Sequence, residues 1–119
     1  MSEVEFSDWE KLDLRVAEIK EVEDIEGADK LYKLKITLGE LGERVICAGI
    51  KEHYTKKSLI GKKIIYFSNL KPRLMRGVES QGMLLAASSE DHKIVKLIFP
   101  DKGAEAGMRI GWEKKFLIN

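Results

Sequence analysis

A strict alternation of apolar and polar residues at positions 32–38 constrains the fold more than any other feature of this sequence. Successive side chains of a β-strand point to opposite faces, so this pattern predicts a strand with one buried face. The apolar face holds Tyr32, Leu34, Ile36 and Leu38, and the other face holds Lys33, Lys35 and Thr37. The sequence therefore predicts a half-buried strand with a pair of lysines on its solvent side.

The segment before this strand predicts a long, bent first strand. Leu14 and Val16 alternate with charged residues, and then the apolar phase slips to Ala17 and Ile19. A slip of this kind indicates a β-bulge or a sharp bend. A bent first strand can serve two sheets of a small closed barrel. Residues 23–29 are expected to form a polar loop, and residues 7–10 have the form of a capping box that begins a short helical turn. We expect Trp9 of that turn to pack in the core.

The segments after this strand complete the pattern of a barrel. Thr55 predicts the N-cap of a short helix over residues 56–60, which Gly61 closes. Further strands are predicted over residues 44–48, 62–68, 83–87 and 93–99. Three strands, a short helix and two more strands is the order of an OB-fold. We therefore expect an all-β, five-stranded Greek-key OB-fold barrel with short helices and a C-terminal extension.

The chain length of 119 residues predicts one domain spanning residues 1–119. Within it, residues 1–11 are an acidic N-terminal segment with a short helix, and residues 98–119 are the C-terminal extension. We expect the apolar residues near this end to be exposed, which favours an extra layer or a contact between two copies of the chain. These residues are Leu97, Ile98, Phe99, Trp112 and Phe116.

Charge is distributed unevenly along the chain, although the net charge is only +1. Residues 1–27 hold ten acids and three bases, whereas residues 28–83 hold five acids and twelve bases. An asymmetry of this kind predicts a polyanionic partner such as a nucleic acid for the middle third. The alternative is that the acidic and basic thirds neutralise each other within the fold.

Residues 69–83, the basic segment, concentrate this charge. Lys71, Arg73 and Arg76 lie within six positions, and Pro72 restricts the backbone around them. We expect a semi-rigid loop that runs directly into a buried strand, with Met83 packed beneath it. Cations on a rigid support lose less entropy on binding than cations on a disordered tail. The plainer reading is a solvated surface loop, because most charge runs are solvated.

The residues that carry chemistry in other proteins are sparse in this sequence. Cys47 is the one cysteine and lies in an apolar run, which favours a core residue over a nucleophile. His53 and His92 have no neighbours at metal-ligand spacing, and no phosphate-binding loop or nucleophile elbow is present. We therefore expect no enzymatic activity, no metal and no cofactor. No apolar run is long enough to span a membrane, and the acidic N-terminus is unlike a secretory signal, which predicts a cytoplasmic protein.

Aromatic residues are few, whereas basic residues are many on the predicted wet faces. This balance favours contact with an RNA backbone and its overall shape over base stacking.

Several motifs resemble the tRNA-binding domain family. They are Asp13-Leu14-Arg15-Val16, Ala28-Asp29-Lys30-Leu31-Tyr32, Arg44-Val45-Ile46 with Ala48-Gly49-Ile50, and the basic segment from Asn69 to Met83. The family includes a stand-alone bacterial tRNA-binding protein, the C-terminal domain of methionyl-tRNA synthetases, and the domain of the endothelial monocyte-activating polypeptide. The resemblance covers roughly residues 12–111. Where this chain has Leu74, many members have a cation.

The resemblance implies an OB-fold that binds tRNA by shape, near the outer corner of the L, without reading the anticodon. It implies a homodimer formed through the C-terminal part and a role in assisting a synthetase, most similar to a methionyl-tRNA synthetase beta-type subunit. By motif, Asn69, Lys71, Arg73, Arg76 and Ser80 would line the RNA surface, with Arg15 and Lys30 beside it. Lys33 and Lys35, on the wet face of their strand, complete the expected RNA-binding set.

Two other functions fit the sequence. One is a protein-interaction adaptor whose barrel docks on an enzyme and touches RNA only weakly. The other is a barrel that binds polyanions in general, such as an acidic polysaccharide.

Overall fold

A computed structural model of the protein describes residues 1–111. Ten strands and two short α-helices occur in this part of the chain. The strands are β1 (Leu14–Ile25), β2 (Ala28–Thr37), β3 (Glu43–Ala48), β4 (Lys63–Phe67), β5 (Arg73–Met75), β6 (Val78–Ser80), β7 (Met83–Leu84), β8 (Ala86–Ser88), β9 (Val95–Leu97) and β10 (Arg109–Ile110). The helices are α1 (Phe6–Glu10) and α2 (Lys56–Leu59), and a 3₁₀ turn spans Gly39–Leu41.

Five strands form the barrel in the order β3-β2-β1-β4-β7, and every pair is antiparallel. The long strand β1 lies at the centre and pairs with β2 along one part and with β4 along another. Its register with β2 shifts between Ile19 and Glu21, which is a β-bulge just beyond the phase slip at Val16 and Ala17 where the sequence predicts one. This confirms the expected all-β, OB-type barrel with a long first strand that serves both sides of the sheet.

The predicted alternation decides which side of β2 faces the core. Tyr32, Leu34, Ile36 and Leu38 are buried, and the side chains between them lie on the outer face. The four buried residues pack with Ile19, Ile46, Ile64 and Tyr66 in one apolar cluster inside the barrel. Helix α2 contributes buried Leu59 to this cluster. Thr55 is the N-cap of the helix, as predicted, and its side chain accepts a hydrogen bond from the Ser58 N–H.

The expected polar loop over residues 23–29 is wrong. Strands β1 and β2 continue through this region and leave only a two-residue turn at Glu26 and Gly27. Both faces of the hairpin are largely exposed here, so no alternation marks it in the sequence. Ion pairs hold it instead, because Asp24 reaches Lys51 at 3.1 Å and Lys56 at 2.8 Å. These lysines lower the pKa of Asp24, Lys56 having the larger effect.

The predicted strand over residues 83–87 is divided between two sheets. β7 pairs with β4 in the barrel, whereas β8 pairs with β9 in a separate two-stranded ribbon. β9 is also shorter than the strand expected over residues 93–99. Two-residue strand β10, which the sequence did not predict, pairs with the start of β1.

The two ends of the chain also differ from expectation. Helix α1 is capped by Glu5 without a side-chain hydrogen bond, so the capping box at residues 7–10 is not formed. Trp9 is half-buried and lines a groove with Leu12 and Ile110 instead of packing in the core. Leu97 is buried, contrary to its expected exposure, while Ile98 and Phe99 are exposed. Trp112 and Phe116 lie outside the described residues.

Candidate nucleic-acid interface

The basic segment folds into a β-hairpin, not the loop that the sequence predicts. β5 and β6 pair antiparallel with Met75 opposite Val78, which leaves Arg76 and Gly77 as a two-residue turn. Both turn residues have positive φ, 50° and 81°, as in a type I′ turn. Such turns favour Asn and Gly, so an arginine at the first position destabilises the turn, but it places a cation at the tip of the hairpin. We name residues 71–80 the cationic hairpin.

Hydrogen bonds from the end of the cationic hairpin tie it to the edge of β3. The Ser80 hydroxyl accepts from the Cys47 N–H at 2.9 Å and donates to the Gly82 carbonyl at 2.9 Å. The next residue, Gln81, donates its N–H to the Val45 carbonyl at 2.8 Å, and its side-chain oxygen accepts from the Val45 N–H at 2.9 Å. The hairpin is therefore fixed to the barrel through the free backbone groups of an edge strand.

Gly82 permits this closure because no side chain fits at its position. It has a φ of +103°, and an added Cβ would lie 2.8 Å from Cε1 of Tyr66 and overlap the Phe67 carbonyl oxygen. The Tyr66 hydroxyl donates to the Gln81 carbonyl beside it. The run Ser80-Gln81-Gly82 therefore closes the barrel and anchors the hairpin.

This placement corrects the expectation that Ser80 lines an open surface. Only 3% of Ser80 is exposed, and its hydroxyl is used by the backbone on both sides. Asn69 is exposed, but its amide is also engaged at both ends. Its oxygen accepts from the Asp13 N–H at 2.8 Å, and its nitrogen donates to the Lys11 carbonyl at 2.7 Å. Asn69 thus fixes the start of the basic segment to the start of β1.

Four of the predicted cations are exposed, and they have no ion-pair partner within the part of the chain that the structure describes. They are Lys30, Lys71, Arg73 and Arg76. Three of them belong to the cationic hairpin. Lys30 lies at the same end of the barrel, because its neighbours Ala28 and Leu31 pack in one small cluster with Met75 and Val78 of the hairpin.

The other three predicted cations are already paired with carboxylates. Arg15 contacts Asp13 at 2.6 Å and also donates to the Gly107 carbonyl at 3.1 Å. On the outer face of β2, Lys33 lies 4.0 Å from Glu23, and Lys35 lies 3.9 Å from Glu21 and 3.7 Å from Glu43. The outer face of strands β1 to β3 is therefore a ladder of mixed charge.

A cleft of about 200 Å³ opens at the base of the cationic hairpin. Its walls include Leu70, Met75 and Met83, and its floor includes Cys47. Met83 is 44% exposed, so the expectation that it packs beneath the hairpin as a core residue is wrong. Cys47 is buried as predicted, and burial raises the pKa of its thiol, which keeps it protonated and unreactive at neutral pH. Leu70, Met75 and Met83 all belong to the basic segment, but no signal in the sequence places Cys47 of β3 beneath them.

Among residues 1–111, no group of three or more histidine, cysteine or acidic side chains is arranged to hold a metal ion. In the same range, no helix has the length and apolar character needed to cross a membrane.

A small barrel of this type, with a cationic hairpin fixed to one end, defines a nucleic-acid-binding module. Residues 14–109 match the model of the family described as "Putative tRNA binding domain". The chain therefore belongs to this family of tRNA-binding domains.

Similar proteins connect the chain with methionyl-tRNA synthetases. The methionine–tRNA ligase of Pyrococcus horikoshii is 47% identical over 110 residues, which are 92% of this chain and 15% of that protein. Among solved structures, a MetRS-related protein from the same organism superposes with a TM-score of 0.87 at 38% identity, covering 93% of this chain and 100% of that chain. The chaperone CsaA of Bacillus anthracis gives 0.84 at 28% identity, covering 92% and 100%.

Proposed function

We propose that the cationic hairpin binds tRNA through its phosphate backbone and recognises the folded shape of the RNA rather than its sequence. One observation carries this proposal: Lys71, Arg73 and Arg76 are exposed and have no ion-pair partner among residues 1–111, on a hairpin that hydrogen bonds fix to the barrel. Cations in this state can neutralise phosphates without first breaking an ion pair. Lys30, at the same end of the barrel, extends the surface.

The paired cations do not belong to this surface. Lys33 and Lys35 would have to leave Glu21, Glu23 and Glu43 to bind a phosphate, and these acids would then repel the RNA. Arg15 is only partly exposed and holds Asp13 in place. The proposed RNA surface is therefore smaller than the sequence suggests and lies at one end of the barrel.

Recognition by shape follows from the chemistry of the cationic hairpin. Lysine and arginine contacts to phosphate position a protein on a nucleic acid but carry no sequence information. The deep major groove of an A-form helix is closed to side chains, so a rigid cationic ridge contacts its phosphates instead. A folded RNA with phosphates converging at a corner fits such a ridge better than an extended strand.

We propose further that this binding assists a methionyl-tRNA synthetase in the cytoplasm and that the domain itself is not catalytic. The support is that the chain matches a part of methionine–tRNA ligases while spanning about 15% of the length of the curated relatives it matches. An accessory domain that adds phosphate contacts raises the affinity of its enzyme for tRNA without touching the reacting groups. A beta-type subunit of the synthetase is the form we propose.

A homodimer is the oligomeric state we propose. Ile98 and Phe99 of the C-terminal extension are exposed, as is Ile60 near Lys62, whose Nζ lies 5.7 Å from the centre of the Phe99 ring. A second copy would cover these apolar side chains. Light scattering should give twice the mass of the chain, and Phe99→Glu should reduce it to one. A monomeric wild-type protein would refute the dimer without affecting RNA binding.

A competition gel shift tests the proposed function. Labelled whole tRNA is bound at 0.1 M salt and competed with unstructured RNA and with heparin. Shape recognition predicts that unlabelled tRNA displaces the label at much lower phosphate concentration than either competitor. Equal displacement by every polyanion would instead indicate a general polyanion-binding barrel. Absence of any tRNA binding at low salt would refute the proposal.

A further inference from the structure

The cleft at the base of the cationic hairpin combines apolar walls with a charged rim. Leu70, Met75 and Met83 form its walls, and Lys71 and Arg73 stand at its edge. Its volume of about 200 Å³ is below the roughly 300–1,000 Å³ typical of small-molecule sites. It can hold one small flat group but not a whole cofactor.

The polar groups of the cleft floor are already satisfied. The Ser80 hydroxyl both accepts from Cys47 and donates to Gly82, so it has no hydrogen left to offer a ligand. The Cys47 thiol is held neutral by burial. A group entering the cleft would therefore meet van der Waals contacts inside and positive charge at the rim.

We propose that this cleft receives one unstacked nucleobase of the bound RNA, while Lys71 and Arg73 hold the adjoining phosphates. This inference rests on the proposed function and adds a second kind of contact to it. A nucleotide has the required order of parts, a flat base joined through a sugar to an anion. Methionine sulfur and methyl groups make favourable contacts with aromatic rings, which gives Met75 and Met83 a role that aromatic residues have in other RNA-binding proteins.

The chemistry of the cleft also fixes how selective the contact is. Because the floor offers no free hydrogen-bond donor from Ser80, the cleft accepts a base by its flat faces and does not distinguish one base from another. Binding of this type is sequence-tolerant, since every base has a π-face. The cleft thus agrees with recognition by shape. It selects an RNA that presents an unpaired base beside the phosphates that the cationic hairpin holds.

Methyl NMR of the full chain tests this inference directly. The protein has four methionines, of which Met75 and Met83 line the cleft, whereas Met1 and Met108 do not. With ¹³C-labelled methionine methyl groups, saturating whole tRNA should shift the Met75 and Met83 methyl protons upfield, because they lie over the face of a base. Met83→Ala assigns one signal and Met75→Leu the other. The Met1 methyl group should stay in place.

A matched pair of variants gives the same test in affinity. Met83→Ala should weaken tRNA binding about 3- to 10-fold through loss of part of one stacking contact. Met108→Ala removes an equally exposed methionine (48% against 44%) and should leave binding unchanged.

The outcomes separate this inference from the function on which it rests. If tRNA binds and the Met75 and Met83 signals do not move, the cleft inference fails and the phosphate-binding surface stands. If tRNA does not bind at all, both fail. If an unfolded polypeptide shifts these two signals and tRNA does not, the cleft belongs to a peptide ligand and the inference is overturned.

Discussion

Replacing Arg76 with asparagine should make the protein more stable and a weaker tRNA binder. Arg76 is the first residue of the two-residue turn, with a φ of 50°, and its side chain is exposed without an ion-pair partner among residues 1–111. Asparagine tolerates this backbone conformation far better than arginine does. One substitution therefore relieves the backbone and removes the charge at the tip.

The magnitudes follow from the two roles. A left-handed conformation at a residue other than glycine costs on the order of 1 kcal/mol, and asparagine should recover about half of that. For a chain of this size, the gain corresponds to a rise in Tm of about 2 °C. Loss of one phosphate contact lowers the salt slope of binding by roughly 0.7–0.9, which at 0.1 M salt is a fall in affinity of about 5- to 8-fold.

The assay pairs a thermal melt with tRNA titrations at salt concentrations between about 0.05 and 0.3 M. Arg76→Lys keeps the charge and should keep most of the affinity, with an unchanged Tm. Lys93→Asn removes an exposed cation far along the chain and should leave the affinity alone. A lower Tm with full tRNA affinity in Arg76→Asn would refute both the turn assignment and the role of the charge.

Two further substitutions test how the cationic hairpin is anchored. Ser80→Ala leaves the buried Cys47 N–H without a partner and should cost about 1–3 kcal/mol of stability, seen as a lower Tm. The tRNA affinity of the folded variant should stay within about twofold of the wild type. Ser88→Ala, at an exposed position, is the control, and a loss of affinity without a loss of stability would place Ser80 on the RNA after all. Gly82→Ala should cost about 3 kcal/mol or more, because its Cβ meets Tyr66 and the Phe67 carbonyl. Gly77→Ala has a similar positive φ with open space around it and should cost about 1 kcal/mol, so equal losses in the denaturant midpoint would contradict the proposed clash.

The sequence predicts the barrel well because most of its strands have one buried face. The alternation at residues 32–38 appears in the structure as β2, and β1 contains a bulge, although between Ile19 and Glu21 rather than at the phase slip after Val16. The N-cap at Thr55 is a local signal and is also correct. Residues 23–29 carry no such signal, since both faces of that hairpin are wet and its ion pairs come from residues distant in sequence.

The sequence pattern does not predict the cationic hairpin, for a different reason. β5 and β6 have three residues each, which is too short for a period of two to be recognised. Their turn uses an arginine where asparagine or glycine would signal a hairpin. The role of Ser80 depends on the edge of β3, more than thirty positions earlier in the chain, so only the tertiary structure shows it.

Selection among the predicted cations likewise depended on tertiary neighbours. In sequence, Lys33 and Lys35 look as available as Lys71 and Arg73. Pairing of β2 with β1 and β3 brings Glu21, Glu23 and Glu43 beside the two lysines. The acid of the hairpin, Glu79, lies opposite Leu74 and forms no ion pair with the hairpin cations. Composition predicts a polyanion partner, and the strand register decides which cations are free to meet it.

Two double variants with the same change in charge test the central claim. Arg73→Ala with Arg76→Ala removes two cations from the hairpin, and Lys33→Ala with Lys35→Ala removes two from the ion-pair ladder. The measurement is the dependence of tRNA affinity on salt. We expect the hairpin variant to lose roughly 1.4–1.8 from the slope of log affinity against log salt, with its Tm nearly unchanged because exposed cations contribute little to stability. The ladder variant should keep the wild-type slope. Equal losses in both variants, or full binding by the hairpin variant, would show that a free cationic hairpin is not what recognises the RNA.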